Sequence, residues 1–208
     1  MFTLSTLSTF VLIVIGLFLI PGPAVLLTAT RTVQGGRRAG ILAGLGIATG
    51  DFIHTMFAAI GLSAILMTSA MAFQVVKIAG AAYLLYLGIR AILEKPTDPS
   101  VPAVTPLSGL RAYTEAILVE VLNPKTALFF LAFLPQFVNP ERGATFLQFF
   151  VLGLVFVTMS VLYTSLIAVS VRQLGKWLKR VPWLGRWSGK LVGVIYIGLG
   201  LKVAFQSR

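Results

Sequence analysis

The sequence predicts an all-α integral membrane protein: six transmembrane helices in two inverted three-helix repeats, with spans one and four interrupted at proline motifs. Three observations predict it. The chain is 57% hydrophobic and 11% charged, too apolar for a soluble domain of this size. Its apolar stretches near 5–29, 39–66, 73–93, 112–137, 145–169 and 188–206 each reach the roughly 20 residues that span a bilayer core. Two of those stretches are broken by proline, and the two halves of the chain show a faint likeness to each other.

Span one carries no basic segment ahead of its apolar run and no small-residue cleavage site, so it is expected to stay as a span rather than be removed as a signal peptide. It is broken at Ile20-Pro21-Gly22-Pro23, and span four is broken at Leu122-Asn123-Pro124-Lys125. A proline within a helix removes a backbone hydrogen bond and clashes with the preceding turn. In lipid the freed groups must pair with protein or face a water-lined cavity.

The net charge of +11 is a topology signal rather than a nucleic-acid footprint. The segments after spans one, three and five hold Arg31, Arg37 and Arg38; Arg90, Lys95 and Arg111; and Arg172, Lys176, Lys179, Arg180, Arg186 and Lys190. On the other side stand Arg142, Lys202 and Arg208. By the positive-inside rule the three basic connections are cytoplasmic and both termini lie outside. The excess cations also meet anionic lipid headgroups there.

Shifted by 109 residues, Gly44, Leu45, Thr49, Thr55 and Ala59 of span two fall on Gly153, Leu154, Thr158, Thr164 and Ala168 of span five. Shifted by 110, Tyr86-Leu87-Gly88-Ile89 meets Tyr196-Ile197-Gly198-Leu199. Residues 1–93 thus form the first three-helix repeat, 94–111 a polar, proline-rich cytoplasmic linker, and 112–208 the second repeat. An odd number of spans per half turns the second half upside down, which supplies two near-equivalent states open to opposite sides. The stretch from Arg172 to Lys190, with Trp177, Trp183 and Trp187, is expected to lie along the inner surface.

Among residues that can carry chemistry, Asp51 stands near the middle of span two, where a charge costs about 2.5–3.5 kcal/mol. His54 and Thr55 follow at helical spacings of three and four, so all three share a face with Gly44, Ala48 and Ala58, and that face should turn inward. A buried carboxylate with a cation nearby can load and release a proton or hold an ammonium group. His54 alone serves equally well as a core residue or a proton relay. In span four Lys125 needs a partner, with Asp51 and Glu120 as candidates, or it can take a substrate carboxylate. The amides freed after Pro21, Gly22 and Pro23 make a second carboxylate site, and the carbonyls before each break can take an ammonium. With Asn123 these groups describe a pocket for a zwitterion, whereas Glu115 should be interfacial. Gly40-x-x-x-Gly44, Gly46-x-x-x-Gly50 and Gly189-x-x-x-Gly193 allow close helix approach, within the chain or at a homodimer seam.

Pro21-Gly22-Pro23, Gln34-Gly35-Gly36-Arg37-Arg38-Ala39-Gly40, Gly50-Asp51, Gly80-Ala81-Ala82-Tyr83-Leu84-Leu85-Tyr86-Leu87-Gly88 and Asn123-Pro124-Lys125-Thr126-Ala127-Leu128-Phe129-Phe130, in that order, resemble the LysE/RhtB family of bacterial amino-acid exporters. The resemblance covers nearly the whole chain. It implies a multi-pass protein of the bacterial cytoplasmic (inner) membrane that expels surplus amino acids or related metabolites against proton entry. Two positions depart from the family pattern. Asparagine is common after the Pro-Gly-Pro, where this chain has Ala24, and common three residues before the Asn-Pro-Lys, where it has Glu120. The exchange of an amide for a carboxylate favours a cationic substrate or a second proton site.

The expected function is secondary export of small zwitterions driven by protons, with Asp51 as proton or ammonium site tuned by His54 and Lys125. A cation exporter, moving metal ions, is the alternative. No nucleotide-binding, Gly-x-Ser-x-Gly or His-Glu-x-x-His motif is present, so neither an enzyme nor a cofactor is expected. With no cysteine and one histidine, a resident metal has little to bind it. The absence of native cysteine also makes the topology directly testable. Thr97→Cys is expected to react with a membrane-impermeant maleimide only in inverted vesicles and Ser207→Cys only in intact cells; the opposite pattern would reverse the orientation.

Overall fold

The computed structural model describes residues 2–19, 22–68 and 108–178, together with isolated helical positions between 71 and 93 and between 190 and 201. Apart from those positions, spans three and six lie outside the described residues, as do Pro21, the linker up to residue 107, Trp183 and Trp187. Among the described residues all regular structure is helical.

Helix α1 (Leu4–Leu19) ends ahead of the first proline motif, and α2 (Pro23–Phe57) begins on it. Proline suits that first helical position because its missing N–H would be unpaired there in any case. α2 is interrupted at Gly36, whose φ of 74° and ψ of −175° lie where glycine alone is comfortable. The chain reverses at that residue. A Cβ on Gly40 would fall 1.9 Å from Thr32 Oγ1, and Ala24 and Leu27 of the first arm pack on a cluster of Ala43 and Ile47 from the second with Ala112 and Ala116. The sequence placed a basic connection between the spans 5–29 and 39–66; there the chain is helical to either side of one glycine.

The second arm passes through a π-helical turn at Ala58–Leu62 into α3 (Ser63–Thr68). Span four is broken as expected. Its halves α4 (Gly109–Val121) and α5 (Pro124–Ala132) are capped by Ser108 and Asn123, and the pair Gly109–Val121 and Pro124–Phe137 bends by 49°. Short 3₁₀ turns at Leu134–Phe137 and Pro140–Arg142 lead to α6 (Thr145–Leu178). By length and composition Pro23–Ile65 and Thr145–Val171 can each cross a membrane, and the bent α4–α5 pair makes a third candidate. Leu118, Leu122, Leu162 and Leu166 are more than half exposed, as a lipid-facing surface requires.

The second arm of α2 forms the centre of the described bundle, between α4 and α6. Small residues bring the helices together. Added Cβ atoms on Gly46 and Gly50 would strike Tyr113, Ala116 and Glu120 of α4, and one on Gly44 would strike Thr164 of α6. Thr55 in turn lies over Gly153 of α6. These pairings make α2 and α6 antiparallel. The span-two glycine motifs therefore serve contacts within the chain. A phenylalanine cluster (Phe10, Phe129, Phe130, Phe133, Phe149 and Phe156) joins α1, α5 and α6.

Two glycines carry a direct test. In Gly46→Ala the new Cβ would meet the Tyr113 backbone oxygen at 2.3 Å, which no side-chain rotation relieves, so a destabilisation of about 1–3 kcal/mol is expected. Gly36→Ala should cost about 1–3 kcal/mol through its backbone conformation alone, whereas Gly35→Ala should be nearly neutral. Thermal unfolding of the purified protein in detergent measures all three.

Candidate functional site

Each proline break frees carbonyls that would otherwise bond four residues along the helix. Leu17 would pair with residue 21, which is proline. Its carbonyl instead accepts from Lys125 Nζ at 2.9 Å. The neighbouring Phe18 carbonyl accepts from Tyr163 Oη at 2.6 Å. At the second break the carbonyl facing Pro124 is that of Glu120, which lies 3.0 Å from His54 Nε2. Side chains of α5 and α6 complete the first break; at the second, His54 of α2 joins the Asn123 amide, which itself donates to the Glu120 carbonyl at 3.0 Å.

Between the breaks lies a cavity of about 40 Å³ lined by Leu17, Phe18, Gly22, Ala24, Val25, Ile47, Asp51, Glu120, Asn123, Lys125, Thr126, Phe156, Ser160, Tyr163 and Thr164. That volume admits a few waters but no amino acid. Asp51 is 1% exposed, and its Oδ2 has no hydrogen-bond partner. Glu120, 2% exposed, accepts from Asn123 Nδ2 at 3.1 Å and from Thr126 Oγ1. Asn123 also caps α5 by accepting from the Lys125 amide. A larger open depression, bounded by Gly35, Arg38, Ala39, Leu42, Gly109 and Leu110, sits beside the Gly36 turn and has no buried charged group.

Of the residues expected from sequence, Asp51, Glu120, Asn123, Lys125 and Gly22 line one cavity. Pro23 starts the helix behind Gly22, and Pro21 lies outside the described residues. His54 and Thr55 share the inward face with Asp51, but their side chains turn to other partners. His54 takes the Glu120 carbonyl and lies against Phe130, while Thr55 Oγ1 donates to the Asp51 carbonyl at 2.9 Å. Sequence offered Asp51 or Glu120 to Lys125, and the structure adds the Leu17 carbonyl. Glu115, a third exposed, bonds Arg31 and Arg111 and so ties the first arm of α2 to α4.

Sequence reasoning missed Ser160 and Tyr163. A signal was available: the shift of 109 that relates Thr55 to Thr164 also carries Asp51 to Ser160 and His54 to Tyr163. It shows as position, not identity, and so is invisible to a search for matching letters.

Residues 15–207 match the family model described as LysE type translocator. The chain belongs to this family. The family description and the efflux-protein name below point to a transporter. An uncharacterized membrane protein of Pseudomonas aeruginosa is 32% identical over 94% of this chain and 93% of its own length. An uncharacterized membrane protein of Bacillus subtilis is 29% identical over 98% of this chain and all of its own length. The leucine efflux protein of Salmonella typhimurium is 28% identical, covering 94% of this chain and 93% of itself. No solved structure matches. With the apolar helices above, these likenesses mark a membrane protein.

The carbonyl partners predict a stability effect separable from transport. Tyr163→Phe removes only the hydroxyl that Phe18 accepts from, and leaving this half-buried carbonyl unpaired should cost about 1 kcal/mol. Thermal unfolding of the purified protein in detergent reads the loss.

Proposed function

We propose that this translocator is a secondary active exporter of amino acids or related small zwitterionic metabolites, coupled to protons and working by alternating access. The observation that carries the reading is the meeting of both helix breaks with Asp51, Glu120 and Lys125 in one cavity. Opposite charges and half-helix ends together match the two ends of a zwitterion. The likeness to a leucine efflux protein supports the substrate class.

The six-span architecture of two inverted repeats belongs to the same proposal. It is supported by reciprocal packing: Thr55 lies over Gly153 and Thr164 over Gly44, and each pair exchanges under the shift of 109. A cavity too small for substrate must widen towards one side at a time, which rocking of one repeat against the other accomplishes. The protein would sit in the bacterial inner membrane with both termini outside, as its basic connections argue. One proton moving through 100 mV releases about 2.3 kcal/mol, enough for a roughly fifty-fold gradient of a neutral solute.

The alternative is a cation exporter, favoured by the paired buried carboxylates. Inverted vesicles with an imposed proton gradient distinguish the two. Gradient-driven uptake of labelled amino acids is expected in wild type and is expected to fall to background in Asp51→Asn. Uptake of divalent cations with no amino acid transported would replace the zwitterion reading with the alternative.

A further inference from the structure

The two breaks do not present equal ends to the cavity. At the second, the chain supplies its own anion. The Glu120 carboxylate accepts from Asn123 Nδ2 at 3.1 and 3.3 Å and from Thr126 Oγ1, and both partners belong to the first turn of α5. A carboxylate there is stabilised by the positive end of the helix. At the first break nothing comparable is present among the described residues. Its N-cap is Gly22, with no side chain to offer, Pro23 has no N–H, and Ala24 and Val25 behind it line the cavity. Lys125 stands beside this end, since a Cβ on Gly22 would lie 3.5 Å from its Nζ. On the same cavity, Asp51 presents a buried Oδ2 with no hydrogen-bond partner.

We propose, building on the zwitterionic substrate put forward above, that substrate binds with a fixed polarity. Its carboxylate docks at the first break, between Lys125 Nζ and the α2 N-terminus. Its ammonium lies between Asp51 and Glu120. Glu120 is the specificity determinant: by filling the anion position of the second break, it repels substrate carboxylates from that end and attracts the amine.

Three probes separate the ends of the substrate: leucine, 3-methylbutylamine, which lacks the carboxylate, and 4-methylpentanoate, which lacks the amine. Competition against labelled amino acid in inverted vesicles is paired with ligand-induced thermal stabilisation of the purified protein, which reads binding in variants whose turnover is lost. In Glu120→Gln, 4-methylpentanoate should gain roughly tenfold relative to 3-methylbutylamine, the size expected for one buried charge contact. A misfolded variant cannot mimic that gain. Lys125→Gln should shift the ratio by a similar factor the other way, and Glu120→Asp, which keeps the charge, should hold the wild-type ratio. If Glu120 and Lys125 serve only to cap helix ends, each variant weakens both analogues alike, and that outcome overturns the polarity while leaving zwitterion export intact. A ratio in Glu120→Asp as altered as in Glu120→Gln overturns it too. Wild type that takes up no amino acid sinks the zwitterion reading, and the polarity with it, before any variant is compared.

Discussion

A peptide carbonyl released by proline inside a bilayer has no water to turn to, and leaving it unpaired costs several kcal/mol. Much of this molecule's interior is organised around that constraint. Leu17, Phe18 and Glu120 each find a partner in a side chain from a distant part of the chain: Lys125, Tyr163 and His54. Each break is therefore a tether as well as a gap. Mending both forces α2, α5 and α6 to converge on one level, and a cavity forms where they meet.

Convergence requires close backbones, and the glycines permit it. α2 lies against α4 through Gly46 and Gly50 and against α6 through Gly44, while α6 returns the contact through Gly153. Without these approaches Asp51 could not share a cavity with Glu120 and Ser160. The threonines that fill the glycine notches, Thr55 and Thr164, bond carbonyls in their own helices, so neither of these hydroxyls is stranded. Polar groups are thereby tolerated at a depth where each would otherwise be costly.

In the proposed export reading, function and stability share side chains. Lys125 is a cavity cation and also the partner of a released carbonyl. A transporter with such dual-use groups can couple substrate to conformation directly, because a ligand that draws the ammonium away also loosens a helix break. His54 shows the opposite division. It shares a face with Asp51, but its ring serves the backbone of the second break, which moves it from the chemistry of the cavity to the frame around it. The two positions that set this sequence apart from the resemblance, Ala24 and Glu120, both line the cavity rather than the lipid face.

The amino-acid sequence by itself determined what depends on local rules. Proline lacks an amide hydrogen in any fold, so both breaks were legible, and α-helical periodicity placed Asp51, His54 and Thr55 on one inward face. Hydropathy marked span two, the bent span four and span five because a bilayer filters length and polarity directly. Tertiary structure alone decided who pairs with whom. That Lys125 reaches Leu17, that His54 serves Glu120 and that Tyr163 closes the first break all depend on helices remote in sequence being set at particular heights and rotations. Arg31 and Arg111 read as topology charges, yet both pair with Glu115 once α2 and α4 lie side by side. Composition and spacing describe a residue's own helix; contacts across a bundle follow from how several helices pack at once, and no single stretch of sequence encodes that.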